Sequence, residues 1–252
     1  MPISVRVQWL PKAGNREDEY EDACWPDHAL TTTQRVVHCA IADGATESAF
    51  AGLWARQLTA AYGAVGSAES ATWRHAVAQE QRHWQAQITA QPLPWYAEEK
   101  ARHGAFAALL GVTLTQEDRT DGHRWQASAV GDCVLFQVRA GALVQSFPAQ
   151  DAAFFTNRPF LLSSLSAQDA AVPQWRYQAA GDLNSGDVLY LTTDALGQWC
   201  LRQVEAGSAP WTAIETALAQ RKRGFRRWVA RLRHRGDLRN DDVTLLRVAQ
   251  AK

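Results

Sequence analysis

The sequence lacks the marks of a secreted, membrane-spanning or disulfide-stabilised protein. Its four cysteines lie far apart and form no Cys-x-x-Cys pair, a spacing that favours reduced, buried thiols over a zinc site or a disulfide framework. The N-terminal segment MPISVRVQWLPK has no basic region followed by an apolar one, so it is unlike a signal peptide. No apolar run approaches the length of a membrane span. We therefore expect a soluble, cytoplasmic protein with no membrane partner.

An excess of charge of either sign is also lacking. The 252 residues include 26 Lys and Arg and 26 Asp and Glu, which gives a formal net charge of +0 at pH 7. Such a chain exerts no global attraction on nucleic acid or on anionic membranes, and we expect neither as a partner. Glycine (16) and proline (9) are too few, and hydrophobic residues (46%) too many, for wholesale disorder.

The chain also shows no internal repeat, no low-complexity segment and no change of composition that would mark a linker. The sequence therefore predicts a single domain over residues 1–252, long enough to bury a substantial core. We expect this domain to be a monomer.

Apolar patterning predicts two groups of β-strands separated by a helical block. Alternating or continuous apolar runs indicate strands over residues 3–10, 35–43, 112–116, 124–132, 133–147, 186–194 and 241–248. The helical period holds from residue 46, around residues 73–88, over 97–111, and over 210–236 with an interruption at Gly224. Residues 148–183 are predicted as a polar connection. Strands grouped in this way favour an α+β fold with antiparallel pairing over a regular βαβ alternation.

Acidic residues stand at the ends of these strands. Asp43 closes the strand VVHCAIAD, Asp132 follows ASAVG, Asp194 closes VLYLTTD, and Asp241 precedes VTLLRV. Each of them alone is explained as a turn residue. If they gather at one rim of a sheet, however, they repel one another and are stable only with cations or shared protons. Magnesium and manganese ions, which prefer oxygen ligands, are the natural partners of such a cluster.

Five short motifs follow one another along the chain, and together they resemble one family. They are YEDACW with Glu21 and Asp22, IADGATES with Asp43 and Gly44, SAVGDCVLF with Asp132, GDVLYLTTDALGQW with Asp194, and RNDDVTLLRV with Asp241. In order and spacing they are similar to the motifs of the metal-dependent protein phosphatases of the PPM family (protein phosphatase 2C type). The segments KARHGAFAALLGVTL and NRPFLLSS resemble that family's helix-to-strand step and a bacterial version of its flap. The likeness spans about Val5 to Val248.

The resemblance implies both a fold and an activity. The fold is a central sandwich of two antiparallel β-sheets flanked by α-helices, with a binuclear centre of manganese or magnesium ions at one end. The activity is that of a serine/threonine phosphoprotein phosphatase, whose substrates are phosphoserine and phosphothreonine proteins made by a partner kinase. A water activated between two cations needs no covalent nucleophile, which agrees with the lack of a CX5R cysteine-phosphatase motif.

The resemblance also implies a role for each acidic position. Asp43 bridges the two ions, and the carbonyl group of Gly44 binds one of them. Asp194 and Asp241 complete the shell of the other ion, and Asp132 belongs to a weaker third site.

Further roles fall on the segment before the second strand. Glu21 and Asp22 act on the ions directly or through bound water, so that Asp22, like Asp43, takes part in catalysis. Arg16 is the candidate for holding the substrate phosphate.

Three departures from the family pattern leave a second function open. Arg16 lies six residues before Asp22, about one position off the commonest spacing, and a solvated loop charge explains it equally well. Asp194 is followed by Ala195 where the family has Gly, which tolerates positive φ better. Asp242 stands where the family often has Asn, and its charge either raises metal affinity or faces solvent. The alternative is a catalytically weak or inactive, phosphatase-like binding or sensing module.

The segment 221–235 is strongly basic, with eight Lys or Arg residues and no acid. One interpretation is a helix with a solvated basic face, whose inward side carries Phe225, Trp228, Val229 and Leu232. The other is a docking surface for acidic or phosphorylated partners. The sequence leaves both open.

Overall fold

Two antiparallel β-sheets form the centre of the molecule. The structure, a computed structural model, describes residues 1–48, 50–66, 71–90, 92–117, 122–156, 159–166 and 177–251, apart from the side chains of Tyr96, Arg221 and Lys222. The strands of the first sheet are β1 (Ile3–Leu10), β3 (Leu30–Thr32), β7 (Val134–Arg139), β8 (Ala142–Phe147), β11 (Asp187–Thr192) and β12 (Val243–Gln250). Their order across the sheet is β3-β1-β12-β11-β7-β8.

The second sheet is built from the remaining described strands. These are β2 (Ala23–Trp25), β4 (Val36–Gly44), β5 (Phe106–Gln116), β6 (His123–Val130), β9 (Leu162–Ser163) and β10 (Tyr177–Leu183). Their order is β10-β6-β5-β4-β2, and β9 pairs with β5 beside this path.

Helices cover the outer face of each sheet. Those on the second sheet are α1 (Ala51–Val65), α2 (Ala71–Thr89) and α3 (Trp95–Arg102). Those on the first sheet are α4 (Asp194–Glu205), α5 (Pro210–Ala219) and α6 (Arg221–Arg235). Short 3-10 turns lie at Glu17–Glu19 and Ala152–Phe154.

The buried apolar side chains form three layers that match this arrangement. The middle layer joins the sheets, with Ile41 and Leu110 from one side and Leu191 and Leu246 from the other. The outer layers lie under the two groups of helices. These layers confirm the predicted α+β sandwich of two antiparallel sheets flanked by helices.

The helix predicted over residues 97–111 is wrong in its second half. Helix α3 ends at Arg102, Gly104 has a φ of +77°, and strand β5 begins at Phe106. Strand β5 lies between β4 and β6, with helices against one face and the first sheet against the other. Its apolar residues are therefore almost continuous, and periodicity alone does not separate such a strand from a buried helix.

The break predicted at Gly224 is also misplaced, because α5 and α6 meet at Gln220 and Gly224 lies inside α6. A Cβ atom at Gly224 would lie 2.8 Å from the carbonyl oxygen of Ala217. The glycine therefore allows the two helices to approach each other closely.

The predicted connection 148–183 contains two strands, β9 and β10. Of the flap-like segment NRPFLLSS, residues 157 and 158 lie outside the described residues.

Helix α6 is amphipathic as predicted. Phe225, Trp228, Val229 and Leu232 are buried against the helices of the first sheet, which confirms the inward side. Its opposite side, called the basic face below, consists of the exposed residues Arg223, Arg226, Arg227 and Arg231.

The cysteines are reduced and mostly buried, as their spacing in the sequence predicts. All four cysteines are free, and Cys39, Cys133 and Cys200 are buried. Within the described part of the chain, every helix is too short or too polar to cross a membrane.

Candidate functional site

Five aspartates from both sheets meet at one end of the sandwich. Asp22 precedes β2 and Asp43 lies in β4, whereas Asp194 follows β11 and Asp241 comes shortly before β12. Asp132 lies in the turn that crosses from β6 to β7, between the two sheets. The negative charges of the other four each raise the pKa of Asp43, after the larger effect of its burial. The fold therefore brings these five predicted residues within electrostatic reach of one another.

Burial and mutual repulsion make four of these aspartates, Asp22, Asp43, Asp132 and Asp194, resist ionisation. Burial is the largest cause of the raised pKa of Asp22, and the charge of Asp242 is the next. Burial and the charge of Asp194 raise the pKa of Asp132 to about 7. Burial likewise raises the pKa of Asp194, although Arg239 opposes this effect. A nearby cation would reverse these shifts, because it stabilises the carboxylate form.

Gly44 allows the end of β4 to approach the segment before β2. A Cβ atom at Gly44 would lie 2.7 Å from the carbonyl oxygen of Glu21 and 2.9 Å from the backbone of Ala51. Neither distance is possible for a real side chain, so only glycine fits. Asp43, directly before it, lies opposite Ala108 in the β4–β5 ladder.

The turn that carries Asp132 depends on a second glycine. Gly131 has a φ of +94°, and a Cβ atom there would lie 2.4 Å from the Cβ of Ala108. L-residues with a side chain rarely adopt this conformation. Gly131 therefore turns the chain close to the start of β5, and Asp132, directly after it, is only 6% exposed.

Asp22 is held by hydroxyl groups from the opposite sheet. Its Oδ2 accepts hydrogen bonds from the Oγ1 atoms of Thr193 (2.9 Å) and Thr244 (2.6 Å). Because Thr244 uses its only hydroxyl proton on Asp22, the hydroxyl group of Tyr20 donates to the Thr244 oxygen. This chain of hydrogen bonds orients Asp22 and joins the two sheets at the rim.

Asp194 begins helix α4, directly after Thr193. The amino end of a helix favours a negative charge, and Ala195 continues the helix without positive φ. Alanine therefore fits after Asp194 without backbone strain, and the turn does not require glycine. Asp194 Oδ2 accepts a hydrogen bond from Arg239, whereas its Oδ1 is buried and has no hydrogen-bond partner among the described residues.

Arg239 is the residue of this rim that the sequence reasoning missed. Its Nη2 contacts Asp194 Oδ2 and also lies 3.1 Å from Asp241 Oδ2. The charge of Asp43 adds to the effect of these two carboxylates, which together raise the pKa of Arg239 against the opposing effect of burial. In the sequence, the position of Arg239 two residues before Asp241 was the only indication that it could pair with the acids.

Asp242 does not face solvent, and both of its carboxylate oxygens are already occupied by hydrogen bonds. It is 5% exposed, and its carboxylate accepts hydrogen bonds from the backbone N–H groups of Lys12 (2.8 Å) and Glu21 (2.7 Å). Asp242 therefore fixes the segment that carries Glu21. The Glu21 side chain itself lies 3.9 Å from the Lys12 ammonium group, and burial raises its pKa.

Arg16 lies on the exposed 3-10 turn. Its Nε and Nη2 atoms donate to the two carboxylate oxygens of Asp18, and its side chain is 76% exposed. Within the described residues, no hydrogen bond or ion pair joins Arg16 to the five aspartates. The structure thus does not bring this predicted phosphate-binding residue together with them.

Comparisons by sequence find no relative, since no family model and no curated protein matches the chain. Comparison with solved structures gives matches over the whole chain. The serine/threonine phosphatase PstP/Ppp of Mycobacterium tuberculosis is similar with a TM-score of 0.57 and 14% identity over 100% of both chains. The catalytic domain of PstP in complex with 2 manganese ions has a TM-score of 0.57 and 15% identity over 98% of each chain. A phosphatase from Toxoplasma gondii has a TM-score of 0.55 and 12% identity over 98% of this chain and 95% of its own.

The chain has the fold of the protein phosphatase 2C type. The PPM-type fold predicted from the acidic motifs is therefore confirmed.

The rim of this protein phosphatase 2C fold suits a divalent cation by its donor chemistry. The donors are carboxylate oxygens, and within the described part of the chain the buried Asp194 Oδ1 has no other partner, which fits a hard cation. Among the described residues, however, no three His, Cys, Asp or Glu side chains are already arranged as a metal-binding group. Arg239 explains part of this lack of a ready metal-binding group, because its guanidinium group lies between Asp194 and Asp241 and already neutralises both.

Proposed function

We propose that this protein phosphatase 2C-like protein is a divalent-cation-dependent phosphatase that hydrolyses phosphate monoesters of serine and threonine in phosphoproteins. The observation that carries the proposal is the convergence of five aspartates from both sheets at one rim, where burial and mutual repulsion raise the pKa values of four of them, Asp22, Asp43, Asp132 and Asp194. Such a cluster is costly for the fold, because buried carboxylates that repel one another destabilise it unless a cation stabilises their charged form. The shared fold with serine/threonine phosphatases supports the same activity.

The proposed cation ligands follow from their places at the rim. Asp43 is the shared ligand, since its carboxyl group responds to the charges of all four other aspartates. The Gly44 carbonyl group serves one ion, and Asp194 and Asp241 serve the other. Asp132, in the turn between β6 and β7, would serve a third, more weakly held ion. The ions are manganese or magnesium.

Glu21 and Asp22 complete the proposed site from the segment before β2. The hydroxyl groups of Thr193 and Thr244 fix Asp22 Oδ2, so that Asp22 presents its other oxygen in a constant direction. The backbone hydrogen bond from Glu21 to Asp242 fixes Glu21 in the same way. When bound, the cations would lower the pKa of a water molecule and offset negative charge on the phosphoryl oxygens.

The cysteines support a mechanism without a covalent thiol nucleophile. Burial raises the pKa of Cys133, and the charges of Asp43 and Asp132 raise it further. Burial is also the main cause of the raised pKa values of Cys24, Cys39 and Cys200. A thiol must be ionised to attack phosphorus, so each of these thiols is poorly suited to that role.

A second candidate function is a non-catalytic binding or sensing module. It is favoured by the position of Arg239, which already neutralises Asp194 and Asp241, and by the departures from the family pattern. In that case the acidic rim would be stabilised by Arg239 and would not need metal.

Hydrolysis of para-nitrophenyl phosphate and of a phosphothreonine peptide, measured with manganese, magnesium or chelator, tests the two candidates. We expect hydrolysis with at least one of the two cations, no hydrolysis in chelator, and none by Asp43→Asn with either. An exposed acid far from the rim, Asp182, gives the control variant Asp182→Asn. Hydrolysis that is indifferent to chelator would contradict the metal-dependent reaction, and no hydrolysis under any condition would favour the binding module.

A further inference from the structure

The side chain of Arg239 places one nitrogen atom between two carboxylates of the proposed cation site. Nη2 donates to Asp194 Oδ2 and lies 3.1 Å from Asp241 Oδ2. Asp194 follows β11 and Asp241 precedes β12, which are neighbouring strands of the first sheet. A cation bound by these two Oδ2 atoms would occupy the position of this nitrogen.

The rest of the guanidinium group is available for another ligand. The Arg239 side chain is 47% exposed, and the described hydrogen bonds and ion pairs use only Nη2. The N–H groups of Nε and Nη1 are therefore available to donate hydrogen bonds at the rim. Arg16 differs in this respect, because the two carboxylate oxygens of Asp18 already pair with two of its nitrogens.

The side chain of Arg239 can turn while the backbone and the acids stay in place. Helix α6 ends before Gly236, and Arg239 lies in the loop that leads to β12. The next residues are anchored, since Asn240 exchanges hydrogen bonds with the backbone of Ala13 and Asp242 accepts from Lys12 and Glu21. The backbone carbonyl oxygen of Arg239 accepts a hydrogen bond from the Asp241 N–H group (3.0 Å), so that only the side chain of Arg239 has to turn.

We propose that Arg239 is a built-in competitor of the divalent cation and, once displaced by it, the residue that binds the substrate phosphate. In the ion-free protein its charge holds Asp194 and Asp241 together. A divalent cation at these carboxylates repels the guanidinium group, which turns toward solvent at the mouth of the site. There its planar donors match the oxygens of a phosphate in a way that a point charge does not. This inference rests on the proposed function.

Manganese titration by calorimetry tests the competitor role without using activity. We expect Arg239→Gln to bind manganese about tenfold more tightly than the wild type, the factor expected when one charge-assisted contact is removed from the acids. Arg239→Lys, which keeps the charge, should bind manganese like the wild type. The control is Arg202→Gln, an exposed arginine on α4, which should leave the affinity unchanged. Equal or weaker manganese binding by Arg239→Gln would overturn the competitor role.

Kinetics with para-nitrophenyl phosphate at saturating manganese test the phosphate-binding role. Arg239→Gln and Arg239→Lys should both raise KM about tenfold or more, with a smaller change in kcat, because the bidentate contact is lost in both. If Arg16→Gln raises KM and the Arg239 variants do not, Arg16 holds the phosphate and the proposal is overturned.

The two proposals fail in distinguishable ways. If the wild-type protein binds manganese and hydrolyses the ester, and the Arg239 variants match it in both assays, the inference about Arg239 fails while the proposed function stands. If the wild-type protein binds neither manganese nor magnesium, both fail.

Discussion

Thr244 Oγ1 donates a 2.6 Å hydrogen bond to Asp22 Oδ2, from a strand of one sheet to the entry of a strand in the other. Both residues are buried, and the Tyr20 hydroxyl group donates to the same threonine oxygen. The rim that collects the acids is therefore also a place where the two sheets are fastened together.

We predict that Thr244→Val destabilises the protein by about 1–3 kcal/mol, because it leaves the Tyr20 hydroxyl group without its acceptor and removes one donor from Asp22. Urea unfolding in chelator measures this change. Thr31→Val, at an exposed position of β3, is the matched control and should change stability little. Equal stability of the two variants would show that the hydrogen-bond chain does not support the rim.

Asp132 gives a prediction about pH. Its pKa is about 7 in the folded protein and close to 3.8 when unfolded, so the folded form binds the proton more tightly. Between about pH 4 and pH 7, the contribution of Asp132 to the free energy of unfolding therefore falls as the pH rises. In chelator, Asp132→Asn should match the wild type below about pH 4, become relatively more stable as the pH rises to 7, and be more stable at pH 8 by about 4 kcal/mol at most. A difference that does not change with pH would contradict the raised pKa.

Asp43 should be the most important acid for metal binding and the least important for ion-free stability. Its loss removes the shared ligand, so Asp43→Asn should gain no thermal stability from manganese, whereas Asp132→Ala should keep most of the gain. In chelator, Asp43→Asn should melt no lower than the wild type, because one repelling charge is gone. A wild type that gains nothing from manganese, together with an Asp43→Asn variant that melts far lower in chelator, would make Asp43 a structural turn residue.

The basic face of α6 offers a prediction about phosphoprotein substrates. The helix is tied to the acidic rim by Arg233, which donates to the carbonyl oxygens of Pro11 (2.9 Å) and Asp241 (2.5 Å). Within the described residues, no ion pair neutralises Arg223, Arg226, Arg227 or Arg231, so an acidic segment next to a phosphorylated residue could pair with them. The triple variant Arg226→Gln, Arg227→Gln, Arg231→Gln should lower kcat/KM for an acidic phosphopeptide more than for para-nitrophenyl phosphate.

The control for the basic face removes the same charge elsewhere. Arg6, Arg74 and Arg82 are exposed on β1 and α2, and their change to Gln should leave the ratio of the two kcat/KM values unchanged. The preference should also weaken with added salt, since exposed charges are screened. If both triple variants change the ratio equally, the basic face is only a solvated surface.

The acidic motifs predicted the fold and most of the acidic rim because each motif combines an apolar strand with the residues at its end. At these ends the backbone conformation limits which residues fit. Gly44 and Gly131 show why, since each step has room only for glycine. The sequence did not separate α3 from β5, because a strand buried on both faces has no alternation to read. It also could not assign Asp242 or Arg239, whose partners Lys12 and Asp194 are far away in the chain and meet them only after folding.

The most direct test of the account is the crystal structure of the protein grown with manganese, with anomalous diffraction recorded at the manganese absorption edge. We predict two anomalous peaks at the rim, both in contact with Asp43 and one also with Asp194 and Asp241, and an Arg239 side chain turned away from these carboxylates. A map without peaks, with Arg239 still between Asp194 and Asp241, would contradict the central claim that this rim is a divalent-cation site.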